Sequence, residues 1–119
     1  MLPQAVRMRD GETFRHTLRR GASSTSGSVV ARVVLTTEPD VQVGLIVGKK
    51  VGNAVARNRV KRRVRHALRS ELSTLPVGAR VVIRALPGAA TSAALPHETR
   101  DAVARATRRA VERSPAPAV

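Results

Sequence analysis

From Ala54 to about Leu75 the apolar residues Ala56, Val60, Val64, Ala67, Leu68, Leu72 and Leu75 recur at spacings of three and four, while every charge before Glu71 is positive. The spacing predicts one continuous helix buried along a single stripe. The charges bear on what the rest of its surface is for. Between Val41 and Ser70 there is no acidic residue, and Lys49, Lys50, Arg57, Arg59, Lys61, Arg62, Arg63, Arg65 and Arg69 supply nine cations with His66 beside them. A solvated helix face normally alternates signs and gains i, i+4 pairing. Here pairs such as Lys61 with Arg65 and Arg65 with Arg69 each cost a few tenths of a kcal/mol, a penalty that makes sense if a polyanion neutralises it. At about 100° per residue, Lys61, Arg62, Arg65 and Arg69 fall opposite the stripe, with Arg59 and Arg63 along one flank. Asn53 is a good N-cap, and the free N–H groups and positive dipole end from Asn53 to Arg57 form an anion site to which Asn58 can add a donor.

The remaining elements read in order along the chain. Residues 10 to 20 form a short helix with Phe14 and Leu18 spaced i, i+4 and Gly21 as its stop. Residues 22 to 28 are a Ser-, Thr- and Gly-rich connection, and 29 to 35 are a β-branched strand. After a turn at Glu38-Pro39-Asp40, residues 41 to 47 form a second strand, whose short link predicts an antiparallel hairpin with the first. Gly48 to Gly52 is a basic link. Pro76 and Gly78 end the long helix, and residues 80 to 85 form a strand with arginine at alternate positions. Ala89 to Leu95 is a small-residue loop, and a last helix runs from Pro96 to about Val111 with Val103, Ala106 and Ala110 along one side. Helix, strand, strand, helix, strand, helix is the order of an α+β sandwich, with helices covering one face of a mostly antiparallel sheet and the other face left open. Residues 1 to 112 form one domain and 113 to 119 a flexible C-terminal tail.

A chain of 119 residues suffices for one core. Its 22 Lys and Arg against 8 Asp and Glu leave a net charge of +14, which repels itself on compaction and suits a domain that meets a polyanion. Arginine outnumbers lysine 19 to 3, and its planar fork matches phosphate and stacks on bases. With no cysteine, disulfides, thiolate metal sites and cysteine nucleophiles are excluded. No stretch reaches the ~18 apolar residues of a membrane span, and the N-terminus lacks a signal-peptide core, so a cytoplasmic protein is expected. A basic helix lying on lipid needs bulky anchors that this one lacks. Reading a DNA groove needs helix-turn-helix geometry or a dimer, so neither membrane nor DNA is expected as a partner, which leaves RNA. The eight acids are scattered at Asp10, Glu12, Glu38, Asp40, Glu71, Glu98, Asp101 and Glu112, and His16, His66 and His97 lie in three segments. That is no basis for a self-sufficient nuclease, which needs clustered carboxylates or histidines; no catalytic or metal-binding residue is expected in the chain.

The run from Gly44 to Arg62, Gly-Leu-Ile-Val-Gly-Lys-Lys-Val-Gly-Asn-Ala-Val-Ala-Arg-Asn-Arg-Val-Lys-Arg, resembles the signature of the bacterial ribonuclease P protein component. Weaker agreement covers residues 5 to 112, through Arg9, Phe14 and Gly21 near the N-terminus and Val81-Val82-Ile83-Arg84 after the basic helix. The resemblance implies a sheet of about four strands with a left-handed strand–helix–strand crossover, against the usual rule, as in the ribosomal S5 domain 2-like fold. It also implies a subunit of an endoribonuclease whose partner, ribonuclease P RNA, performs magnesium-dependent removal of 5′ leaders from precursor tRNA, one protein per RNA. Mg²⁺ is then required by the RNA–protein holoenzyme and not by a defined protein site. By the same resemblance Lys49, Lys50, Asn53, Arg57, Asn58, Arg59, Lys61, Arg62, Arg65 and Arg69 bind the RNA subunit. The first helix and the sheet form a leader cleft with Phe14, Arg15, Leu18 and Arg32. The family often carries several aromatics there, whereas Phe14 is the only aromatic residue in this chain, and Leu18 and Arg32 stand where others occur. Stacking is worth ~1–3 kcal/mol per base, so leader contacts here rest more on Arg15 and Arg32; Phe14 reads equally as core. The rival reading is a ribosomal or other structural RNA-binding protein without a processing role, which leaves the Gly-Asn-Ala to Arg-Asn-Arg run unexplained.

Overall fold

Alternation in residues 29–35 sends Val29, Ala31 and Val33 to one side of a strand, and all three are fully buried. In the computed structural model, which describes residues 2–113, that strand is second of four: β1 (Ala22–Ser26), β2 (Val29–Leu35), β3 (Gln42–Ile46) and β4 (Ala79–Ala85), in sheet order β1-β2-β4-β3. Three helices, α1 (Gly11–Arg20), α2 (Ala54–Arg69) and α3 (Leu95–Arg113), pack on it, giving the α+β sandwich with a mostly antiparallel sheet.

The order of the strands differs from the expected hairpin of β2 with β3. β4 inserts between them, antiparallel to β2 and parallel to β3, so α2 serves as the crossover of a β3–α2–β4 unit. Every β4 residue but Arg84 is buried, as a strand covered on both faces requires. The turn after β2 is drawn to this strand: Arg80 Nη1 donates to the Asp40 carbonyl at 2.8 Å and Nη2 to its carboxylate at 2.9 Å. That guanidinium holds the Asp40 carboxyl below its ordinary range.

The segment after Gly21 is also a strand, β1, where the composition predicted a connection. Its inward residues Ala22 and Ser24 are buried and small, and α3 packs directly over β1 and β2 through Ala102, Ala106 and Ala110. A strand built for close helix approach lacks the β-branched signal that marks β2.

α2 ends at Arg69 and not near Leu75: Leu72–Thr74 tightens into a 3₁₀ turn that still delivers Leu75 to the core. Pro87–Ala90 is a 3₁₀ turn that takes in the first residues of the expected Ala89–Leu95 loop, and α3 starts one residue early at Leu95. α3 also includes Arg113, the first residue of the expected tail; the rest of that tail, 114–119, lies outside the described residues.

Residues 29, 31, 33, 81 and 83 face α2 and α3, and the register places Arg32, Val82 and Gly44 together on the opposite face. That face is not wholly open, because α1 crosses it and Val82 is only 1% exposed. α1 is capped by Asp10, whose carboxylate accepts from the N–H groups of Glu12 and Thr13. Its fully buried side chain is Thr17, whose hydroxyl donates to the Thr13 carbonyl, while Phe14 and Leu18 are half-buried.

One carboxylate joins the hairpin of β1 and β2 to α3. Glu98 Oε1 accepts from Ser28 Oγ at 2.6 Å and Ser92 Oγ at 2.9 Å, and these bonds, led by that of Ser28, lower its pKa from the ordinary 4.5. A lowered carboxyl adds stability that is present above 4.5 and lost as pH falls through the folded value. Thermal melts of Glu98→Gln against the parent should therefore show a gap at pH 7 that narrows as pH falls below the ordinary carboxyl value of 4.5. A gap independent of pH would contradict the assignment.

Candidate nucleic-acid interface

Gly48 to Gly52 forms a 3₁₀ turn, Lys49–Val51, rather than a plain link: Val51 is buried as its anchor while Lys49 and Lys50 stand exposed. Gly52 has φ +154° and approaches the Ala56 side chain so closely that a Cβ there would lie 2.8 Å from it. The turn hands the chain to Asn53, whose Oδ1 accepts from the Ala56 N–H at 2.9 Å, and α2 begins with its other first-turn N–H groups unclaimed by side chains among the described residues.

Val60, Val64, Ala67 and Leu68 bury the predicted stripe. Outward, Asn58, Arg59, Arg62, His66 and Arg69 are exposed, and Arg57 is half-buried. The Arg57 Nε is buried without a hydrogen-bond partner, an arrangement that costs free energy unless a ligand supplies an acceptor.

Lys61 and Arg65 do not lie on the outer face as helical geometry alone suggested. They are half-buried on the flank toward β3, where with Arg7, Phe14, Gly44 and Leu45 they line a cavity of about 230 Å³. Burial, and secondarily the charge of Arg7, holds the Arg65 pKa below the ordinary arginine value. Arg63, on the other flank, is structural: its Nη2 donates to the Ser92 carbonyl at 3.0 Å.

The cleft residues divide. Phe14 rests on Gly44, where a Cβ would come within 2.4 Å of the ring, and thereby joins the α2 cations Lys61 and Arg65. Arg32 sits at the far end of α1, its Cβ 3.1 Å from where a Cβ on Gly21 would stand. Arg15 folds back toward Gly11 and Asp10 at the start of α1, so it does not meet Arg32; Leu18 is half-buried. Two cations were missed as site residues. Arg84 is exposed on the Arg32 face, diagonal to it across the β2–β4 pairing; the alternation of arginines in β4 was its signal, with Arg80 consumed by Asp40. Arg7 had no signal, since only the tertiary fold brings it to Arg65.

The Phe14–Gly44 contact yields a prediction. Gly44→Ala should destabilise the protein by about 1–3 kcal/mol through overpacking, and Phe14→Leu in the same chain should recover part of it, as read from denaturant midpoints. Strictly additive losses would contradict the contact.

Among the described residues no group of three or more His, Asp or Glu is placed to hold a metal ion, and no helix is long and apolar enough to cross a membrane. The donors that the surface offers are the guanidinium and ammonium groups of the exposed cations and the first-turn amides of α2.

The family model for Ribonuclease P matches residues 2–111. The chain is 47% identical over 98 residues to the ribonuclease P protein component of a Nocardioides species, covering 79% of this chain and 83% of that one. It is 45% identical over 111 residues to that of Kocuria rhizophila, covering 92% and 98%. Among solved structures, the RNase P protein of Staphylococcus aureus superposes with a TM-score of 0.73 at 21% identity, over 90% of this chain and 96% of that one. The RNase P protein of Thermotoga maritima gives 0.63 at 22% identity, over 87% and 96%.

Proposed function

This chain belongs to the ribonuclease P protein family, and from that membership we propose that it binds ribonuclease P RNA and the 5′ leader of precursor tRNA, so that the RNA removes the leader and generates mature tRNA 5′ ends. The observation that carries the reading is the outer surface of α2: Arg57, Asn58, Arg59, Arg62 and Arg69, with no carboxylate among them, behind a turn presenting Lys49 and Lys50 and a start capped by Asn53. Such a surface positions a helix on phosphates by charge and geometry. Lys61 and Arg65, on the flank, line a cavity with Phe14, while the other proposed leader contacts, Arg15, Leu18 and Arg32, are spread along α1 and β2.

Hydrolysis in this reading belongs to the RNA, with Mg²⁺ serving the holoenzyme. The protein raises the affinity of the complex for substrate and acts in the cytoplasm as one copy per RNA.

Titration of the protein against ribonuclease P RNA, with a ribosomal RNA fragment of equal length as competitor, tests the assignment. Preferential binding to the first is expected; equal affinity for both would favour the alternative of a ribosomal or other structural RNA-binding protein.

A further inference from the structure

Both basic elements of the α2 interface rest on one short segment, residues 86–92, Leu-Pro-Gly-Ala-Ala-Thr-Ser. Its turn, Pro87–Ala90, packs against the Lys49–Val51 turn and against α2. Ala89 is fully buried in the core that also takes Val51, Val60 and Val64. The segment is uncharged, and side chains this small allow a close approach but fix it only weakly, since each has few atoms to bring into contact.

Hydrogen bonds hold it instead. At its start the Leu86 N–H donates to the Ser28 carbonyl at 2.8 Å. At its end Ser92 Oγ donates to Glu98 Oε1 at 2.9 Å, and the same oxygen accepts from Ser28 Oγ at 2.6 Å. Ser28 and Glu98 thereby grip both ends of the segment, and a carboxylate makes such bonds shorter and stronger than a neutral acceptor does. The β1–β2 turn is shaped for this: Gly27 has φ +54°, and any side chain there would collide with the Glu98 carboxylate. From α2, Arg63 Nη2 donates to the Ser92 carbonyl at 3.0 Å. A chain of hydrogen bonds therefore runs from the β1–β2 turn through Glu98 and Ser92 to the basic helix.

We propose that Glu98 is a positioning residue for RNA binding: through Ser28 and Ser92 it locks residues 86–92, and through them and Arg63 it sets how α2 and the Lys49–Lys50 turn lie relative to one another. Donors held in place before binding cost less to order than donors that must be arranged on the RNA. The proposal rests on the RNA-binding reading and extends it to a residue whose charge is wrong for a phosphate contact. Electrostatics alone predicts the opposite sign, because removing Glu98 raises the net charge of +14 by one and should favour a polyanion.

The test is binding of ribonuclease P RNA by Glu98→Ala and by Asp40→Asn across a salt series, at a temperature where circular dichroism shows both folded. Each substitution removes one negative charge and breaks a carboxylate's hydrogen bonds. Asp40, however, ties a turn to Arg80 at the start of β4, whereas residues 86–92 follow its end. Glu98→Ala should bind about three- to tenfold more weakly, with an unchanged log–log slope because no phosphate contact is lost. Asp40→Asn should bind no more weakly than the parent. Arg63→Gln should cost less affinity in the Glu98→Ala background than in the parent chain, since the two act through one set of contacts. If Glu98→Ala does not fold, Glu98→Gln, which keeps a weaker acceptor, decides with the same sign. Three results would overturn the positioning role: affinity at or above the parent's in the folded Glu98 variant, an equal loss in Asp40→Asn, or strict additivity with Arg63→Gln. The α2 reading stands in each case if alanine at Arg57, Arg59 and Arg62 still weakens binding. A parent chain that does not bind this RNA would overturn both.

Discussion

Replacing Arg57, Arg59 and Arg62 together with alanine is expected to weaken binding to ribonuclease P RNA by roughly 10²- to 10³-fold, at about 1–1.5 kcal/mol per charge-assisted phosphate contact. Arg59 and Arg62 are exposed on α2, whose fully buried residues are Val60, Val64, Ala67 and Leu68. None of the three belongs to the buried apolar stripe, and truncating them removes like-charge repulsion within the helix, so far-UV circular dichroism should not change. Arg57 is the informative member, since its Nε is buried with no partner in the free protein. A triple variant that unfolds would mean these side chains are structural; one that binds normally would remove α2 from the interface.

Raising salt from about 50 to 200 mM should lower the affinity for that RNA on the order of 10³-fold, if about six phosphates are engaged. The candidates exceed that number: Lys49, Lys50, Arg57, Arg59, Arg62 and Arg69 on the outer side of the turn and α2, with Lys61 and Arg65 on the flank. The triple variant should flatten the log–log slope by between about 2 and 3. A flat response in the parent chain would sink the electrostatic account.

α2 was legible because everything that defines it is local: a stripe at spacings of three and four, a capping Asn53, and a charge run without acids. Strand order was not. The short link after β2 argued for a hairpin, yet β4, buried at every position but Arg84, takes the centre of the sheet, and the Arg80–Asp40 pair helps tie the turn there. β1 escaped notice because its requirement is for small residues under α3, which composition reports as a linker.

The same split governs the site. Arg63, Arg80 and Arg62 look alike in sequence, but the first two are spent on the Ser92 carbonyl and Asp40 while the third is exposed. Phe14 could be named but not placed, since its seat on Gly44 depends on β3 lying beside β4, and its neighbours Lys61 and Arg65 come from the crossover helix α2.

The most direct measurement is cleavage of a precursor tRNA at low magnesium by the ribonuclease P RNA of the same organism, with this protein, without it, and with the protein alone. The account predicts an inert protein that restores cleavage by the RNA. Cleavage by the protein alone, or no gain when it is added to the RNA, would contradict it.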